Sequence, residues 1–177
     1  MRAMRTLPLL ILLGLAACGG GDGLSGGDTF TATYQVTLHQ RNVAAGGTIA
    51  CTDFGSDVTG EEAYFAIVVD DFLDDPNILE MHPCMTDPGT CDDFGFVHFN
   101  AYGDHLQEDN WNTQTDSGCA LHASRDYGVM VDATTLRIES MEWYADSTDP
   151  NCDLDLAQAL LDTPDCERNE AWEGTRL

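Results

Sequence analysis

Lysine is absent from this chain of 177 residues, and seven arginines face 31 aspartates and glutamates for a formal net charge of −24. A surface with so little positive charge repels phosphate backbones and anionic headgroups, which excludes nucleic-acid binding and favours cations and cationic partners. The acid excess itself reads first as a solvated surface. Also missing is any run of about 20 apolar residues, the length a membrane-spanning helix needs. There is no C-x-x-C pair for a cysteine-held zinc, no G-x-S-x-G elbow, no glycine loop for phosphate and no H-E-x-x-H helix. The common nucleophile and metalloprotease patterns are thereby excluded, and no catalytic residue is assigned. Fifteen aromatics and several dense apolar runs nevertheless call for a packed interior.

The first stretch with a recognisable pattern is the start of the chain. Arg2 and Arg5 precede an apolar run from Leu7 to Leu15, followed by Leu15-Ala16-Ala17-Cys18 and then Gly19-Gly20-Gly21. This resembles the lipobox of bacterial lipoproteins, in which a branched aliphatic residue and two small residues precede the lipidated cysteine. The resemblance implies a signal peptide over 1–17, lipid on the Cys18 sulfur, and more than one acyl chain, enough for stable anchoring. It also implies a place in the bacterial cell envelope, the outer membrane by virtue of Gly19 rather than Asp after the cysteine. The glycine-rich stretch 18–28 then forms a tether, and 29–177 is one domain of ordinary size. Removing the leader takes Arg2 and Arg5 with it and leaves all 31 acids.

Six further cysteines remain: Cys51, Cys84, Cys91, Cys119, Cys152 and Cys166. An even set in an exported chain reads as a disulfide framework, and six cysteines permit 15 pairings. The turn Thr86-Asp87-Pro88-Gly89 suggests Cys84 with Cys91. A short helix between Cys152 and Cys166 suggests that pair, which leaves Cys51 with Cys119.

Hydrophobic alternation decides the fold class. From Thr29 to His39 the apolar residues Phe30, Ala32, Tyr34, Val36 and Leu38 alternate with polar ones, the period of a half-buried strand. Thr48 to Thr52 reads as a second, short strand. Glu61 to Phe72 is ambiguous: Thr59-Gly60-Glu61-Glu62 has capping-box spacing, whereas Tyr64, Phe65, Ile67, Val68 and Val69 are strand formers in one run. The strand reading is preferred. Ile78–Met81, Phe94–Tyr102, Cys119–Ser124, Tyr127–Val131 and Thr135–Tyr144 also read as strands, the last with Leu136, Ile138, Ser140 and Glu142 on one face. Gly103–Gly118, polar throughout, reads as a long surface loop. Asp155–Leu161 is the one helix, and Ala171–Leu177 returns as an edge strand. The sum is a mainly β, antiparallel sandwich or small barrel with one short C-terminal helix, stapled by disulfides.

Three groups of side chains could carry function. Asp149, Asn151, Asp153 and Asp155 offer oxygens at alternate positions before a helix, as calcium loops do. Leu154 and Leu160 stand where an EF-hand needs glycine and glutamate, so only an irregular calcium site is left, against the reading of Asp153 or Asp155 as a helix cap. Asp70, Asp71, Asp74 and Asp75 form a second acid group, read as a solvated loop. Among the histidines, an outward pair of His98 and His122 with Asp104 could bind metal or move protons if their strands were neighbours. The expected function is a membrane-tethered, strongly acidic, non-enzymatic binding or surface module with no cofactor beyond calcium. Its expected partners are the membrane, through its lipid, and cationic or divalent species. The alternatives are a carboxylate-using hydrolase or carbohydrate-active enzyme, and a calcium-binding module.

Overall fold

The computed structural model describes residues 26–73, 75–92, 95, 97–115, 118–149 and 152–177. Cys18 and the glycine-rich stretch up to residue 25 lie outside the described residues, as do Asp74, Phe94, Phe96, Ser117 and Asn151. In chain order the elements are α1 (Gly26–Phe30), β1 (Ala32–Val43), β2 (Ile49–Ala50), β3 (Ser56–Asp57), β4 (Tyr64–Val69), β5 (Ile78–Cys84) and β6 (Val97–Ala101). There follow β7 (His105–Gln114), β8 (Cys119–Met130), β9 (Thr135–Ser147), α2 (Leu154–Gln158), a 3-10 turn at Ala159–Asp162, β10 (Asp165–Cys166) and β11 (Arg168–Arg176).

Eight of these strands close an antiparallel barrel in the order β1-β4-β5-β6-β7-β8-β9-β11, with β11 pairing back onto β1. Closure removes the free edges that an open sheet of this length would carry. The C-terminal strand, expected at an edge, is therefore interior to the sheet: Trp172 pairs with Ile138 on one side and His39 on the other. The ambiguous segment is strand β4, because Phe65 and Ile67 fill the barrel, each fully buried and worth about 1.5–3 kcal/mol.

The expected loop at Gly103–Gly118 is largely the ten-residue strand β7, paired along its length with β8. Its inward side chains below Leu106 are Glu108 and Asn110, which face a polar hollow, so the apolar alternation that marks a strand never develops. For the same reason Cys119–Ser124 and Tyr127–Val131, read as two strands, are one strand β8.

The barrel interior has two halves. Phe30, Tyr34, Phe65, Ile67, Leu79, Met81, Phe99, Leu106, Leu136 and Ile138 pack one half solid. Helix α1 plugs that end; it starts at Gly26, three residues before the expected start of the domain. Gly27 lies so close to Pro76 that a Cβ there would sit 2.0 Å from its carbonyl oxygen. A register shift in β1 between Val36 and Leu38 then lets Val36 on one side and His39 and Arg41 on the other face the same interior.

Outside the barrel, α2 and its 3-10 extension cover β8 and β9. Cys119 and Leu121 pack against Ala157, and Ala123 and Trp143 against Leu161. Leu121 and Cys119 thus face outward, and it is His122 that faces in. Among the described residues two disulfides are formed, Cys84–Cys91 as expected and Cys119–Cys152. The second corrects both long-range pairings: the entry to α2 lies against the start of β8, which puts Cys152 beside Cys119 rather than Cys166. Cys51 and Cys166 are buried thiols brought together where β2 pairs with β10.

Candidate functional site

The second half of the barrel is hollow. Strand alternation carries Ser140 and Glu142 onto the face of Leu136 and Ile138, and Ser124 and Asp126 onto the face of Gly128. With Glu108, Asn110, Glu170 and Trp172 they line a cavity of about 580 Å³, within the range of small-molecule sites. Only two residue pairs join β6 to β7, and His98 and Asn100 of β6 complete the lining beside that short seam.

Charge in the cavity is arranged in two parts. On the β1–β11 side, Glu170 is only 5 % exposed and accepts hydrogen bonds from Arg41 Nε at 2.7 Å and from Arg168 at 3.1 Å. His39, fully buried and stacked on Trp172, places Nε2 2.6 Å from Glu170 Oε1 and Nδ1 3.1 Å from Glu62 Oε2. Burial works to raise the Glu170 carboxyl, but the His39 and Arg41 contacts outweigh it and hold it below the usual range. Glu170 is thus held by basic partners, while His39 Nδ1 and Glu62 Oε2 face one another without completing a hydrogen bond.

The β7–β8–β9 side is built differently. Asp126 is 9 % exposed, its Oδ1 has no hydrogen-bond partner, and burial pushes its carboxyl up to about 6 against the opposing hydrogen bond from Ser140. Glu142 and Glu108 nearby add to the rise. Glu108 is itself raised, by burial first, despite the amide of Asn100 donating to it. His122 lies tilted against Tyr144, ring centroids 4.4 Å apart, and leaves Nε2 buried without a partner. Unsatisfied buried polar atoms are rare in folded proteins; here Asp126 Oδ1 is an open acceptor, and because the Asn112 amide donates to His122 Nδ1, His122 Nε2 carries the ring proton and is an open donor.

His98 and His122 do line one cavity, as a neighbouring pair would, but through different partners. His98 Nε2 meets Glu80 Oε1 at 3.0 Å, His122 Nδ1 meets the Asn112 amide at 3.1 Å, and Asp104 pairs with His105 instead. In the Asp149–Asp155 stretch, Asp153 caps α2 by accepting the Asp155 N–H, and Asp155 is exposed. Asn151 is outside the described residues. Asp70, expected on a solvated loop, is 5 % exposed, its Oδ1 accepting the N–H groups of Phe72 and Leu73.

Sequence reading missed Glu108, Asp126, Glu142 and Glu170. A signal was present on β9, where one face runs Leu136, Ile138, Ser140, Glu142: an apolar stripe turning polar midway along a strand is what a half-filled barrel imposes. Among the described residues no helix is long and apolar enough to cross a membrane. Compared with known proteins, the chain matches no family model, no curated protein and no solved structure.

Proposed function

We propose that this is a lipid-anchored envelope protein whose barrel binds a small, cationic, amine-bearing ligand without transforming it. The supporting observation is the hollow half of the barrel, where Glu108, Asp126 and Glu142 converge on a cavity of about 580 Å³ whose guanidinium, Arg168, already lies near Glu142 and Glu170. Carboxylates in a recess focus the field of an acidic protein and raise the local concentration of cations. A bound ammonium supplies the donors that Asp126 lacks. The N-terminal lipid, implied by the lipobox resemblance at Cys18, holds this site at a membrane surface.

Equilibrium dialysis with 1,4-diaminobutane tests the site. Saturable binding at matched ionic strength, weakened about tenfold or more in Glu142→Gln and Asp126→Asn, supports the reading; uptake that sodium chloride abolishes and the variants leave unchanged contradicts it. For the anchor, Cys18→Ala releases the protein from membranes if the lipobox reading holds, and persistence in the membrane fraction at high salt defeats it.

A second reading, a carboxylate-using hydrolase, is favoured by one observation. Asp126, with its carboxyl raised to about 6 opposite Glu108, is a proton donor beside a potential base. Turnover of glycoside substrates that disappears in Asp126→Asn would select it over binding alone.

A further inference from the structure

A second cluster lies on the outer face of β5 and β6, at the rim of the same cavity. Cross-strand pairing sets Glu80 opposite His98, and Glu80 is two residues from His82 on one face of β5. Asp70, at the end of β4, arrives beside them because its N–H bonds Ile78 O. Ligand atoms of Asp70, Glu80 and His98 all lie within 4.8 Å of one another.

The hydrogen bonds are those of a primed site. His82 Nδ1 lies 2.6 Å from Asp92 O, a carbonyl that only accepts, so Nδ1 carries the ring proton. Its Nε2 lone pair then points at Glu80 Oε2, 2.9 Å away. That contact sets one Glu80 oxygen against His82 and leaves the other, Oε1, toward His98. Glu80 is wedged in place: a Cβ on Gly95 would sit 2.7 Å from its Cβ and 3.0 Å from Oε2. Asp70 Oδ1 is occupied by two backbone N–H groups, which fixes that carboxylate with its second oxygen uncommitted to them.

We propose that Asp70, Glu80 and His98 form a binding site for a divalent transition ion of the zinc class, with His82 holding Glu80 in place from its other oxygen. An imidazole with two carboxylates suits that class better than calcium or magnesium, which take all-oxygen shells. Tetrahedral zinc with bonds of about 2.0–2.1 Å holds its ligand atoms about 3.3 Å apart. The 3.0 Å contact of Glu80 Oε1 with His98 Nε2 therefore needs to open by only a few tenths of an ångström. Because His98 also lines the cavity, the ion would sit at the rim of the amine site without sharing its acids.

Zinc titrated into the full-length, disulfide-intact protein tests the site. The expected result is one saturable equivalent and a rise in Tm of about 5 °C or more with zinc about 100-fold above its Kd. Magnesium and calcium at matched ionic strength give neither. His98→Ala, a change at a half-exposed side chain that leaves the fold intact, weakens binding at least about tenfold, as does Glu80→Gln; Asp126→Asn leaves it unchanged. Cobalt in place of zinc should show ligand-field bands without a sulfur charge-transfer band, which separates this site from Cys51 and Cys166. Absence of saturable binding, binding that survives His98→Ala, or a thiolate band each overturns the proposal.

Discussion

Asp126 on β8 and Glu108 on β7 are direct cross-strand partners, and both face the hollow half of the barrel. Burial raises both carboxyls above their ordinary values, Asp126 to about 6. Like charges placed opposite one another on a strand pair are destabilising, so at neutral pH this pairing costs the fold stability unless a proton or a cation relieves it. A barrel that served only as a scaffold would fill this half with apolar side chains, as it does the other.

The pH dependence of stability follows from Asp126. Its folded value of about 6 lies above its ordinary 3.8, so the folded state holds the proton more tightly than the unfolded chain. The stabilisation is fully present below about pH 4 and is lost as pH rises through about 6. Two units correspond to about 3 kcal/mol. Asp126→Asn should therefore be more stable than the parent at pH 7.5, by about 1–3 kcal/mol, with the difference shrinking toward pH 4.5. Urea unfolding of both proteins at three pH values checks this, and parallel curves would refute it. Taking the difference between variants removes the contributions of Asp109 and Glu170, whose depressed values act in the opposite direction.

The thiols make a second prediction. Cys51 and Cys166 are hydrogen-bonding neighbours, and burial raises both thiols, which slows their attack as thiolates. In an oxidising compartment, which the proposed lipid anchor implies, a disulfide-exchange partner should still remove their two protons and two electrons and leave a third bridge. Peptide mapping of the exported protein is expected to recover Cys51 with Cys166 and Cys119 with Cys152. Loss of the Cys51–Cys166 bridge should cost about 5 kcal/mol in the chain-entropy model. Recovery of Cys51 joined to Cys119 would contradict the fold at the α2 entrance.

Gly174 supplies a packing prediction. A Cβ at this position would meet Phe65 Cε1 at 2.6 Å and Tyr34 Cβ at 2.8 Å, inside the Tyr34–Phe65 stack. Gly174→Ala should cost about 1–3 kcal/mol by overpacking. In a Phe65→Leu background the same change should cost less, and equal costs in thermal unfolding would show that the stack is not what the new methyl meets.

The apolar half of the barrel was legible where its residues alternate: Tyr34, Leu136 and Ile138 announce strands and their inward faces. The hollow half was not. Glu108, Asn110, Ser124 and Asp126 point inward as the others do, yet a polar residue facing a cavity looks in sequence like one facing solvent. Hence β7 read as a loop and His122 as an outward residue. The disulfides failed for a related reason. Spacing favoured bracketing the helix, whereas the partner of Cys152 is set by where α2 docks on the outside of β8. Cross-strand pairing brought Glu80 to His98, and no local pattern encodes it.

Carboxyl-carbon NMR of Asp126 tests the central claim most directly, by following its ionisation with and without 1,4-diaminobutane. The account predicts titration near 6 in the free protein, a fall of about one unit or more when the diamine is bound, and tighter binding as pH rises through that range. An Asp126 that titrates near 4 in the free protein, or one whose titration the diamine leaves unmoved, would contradict it.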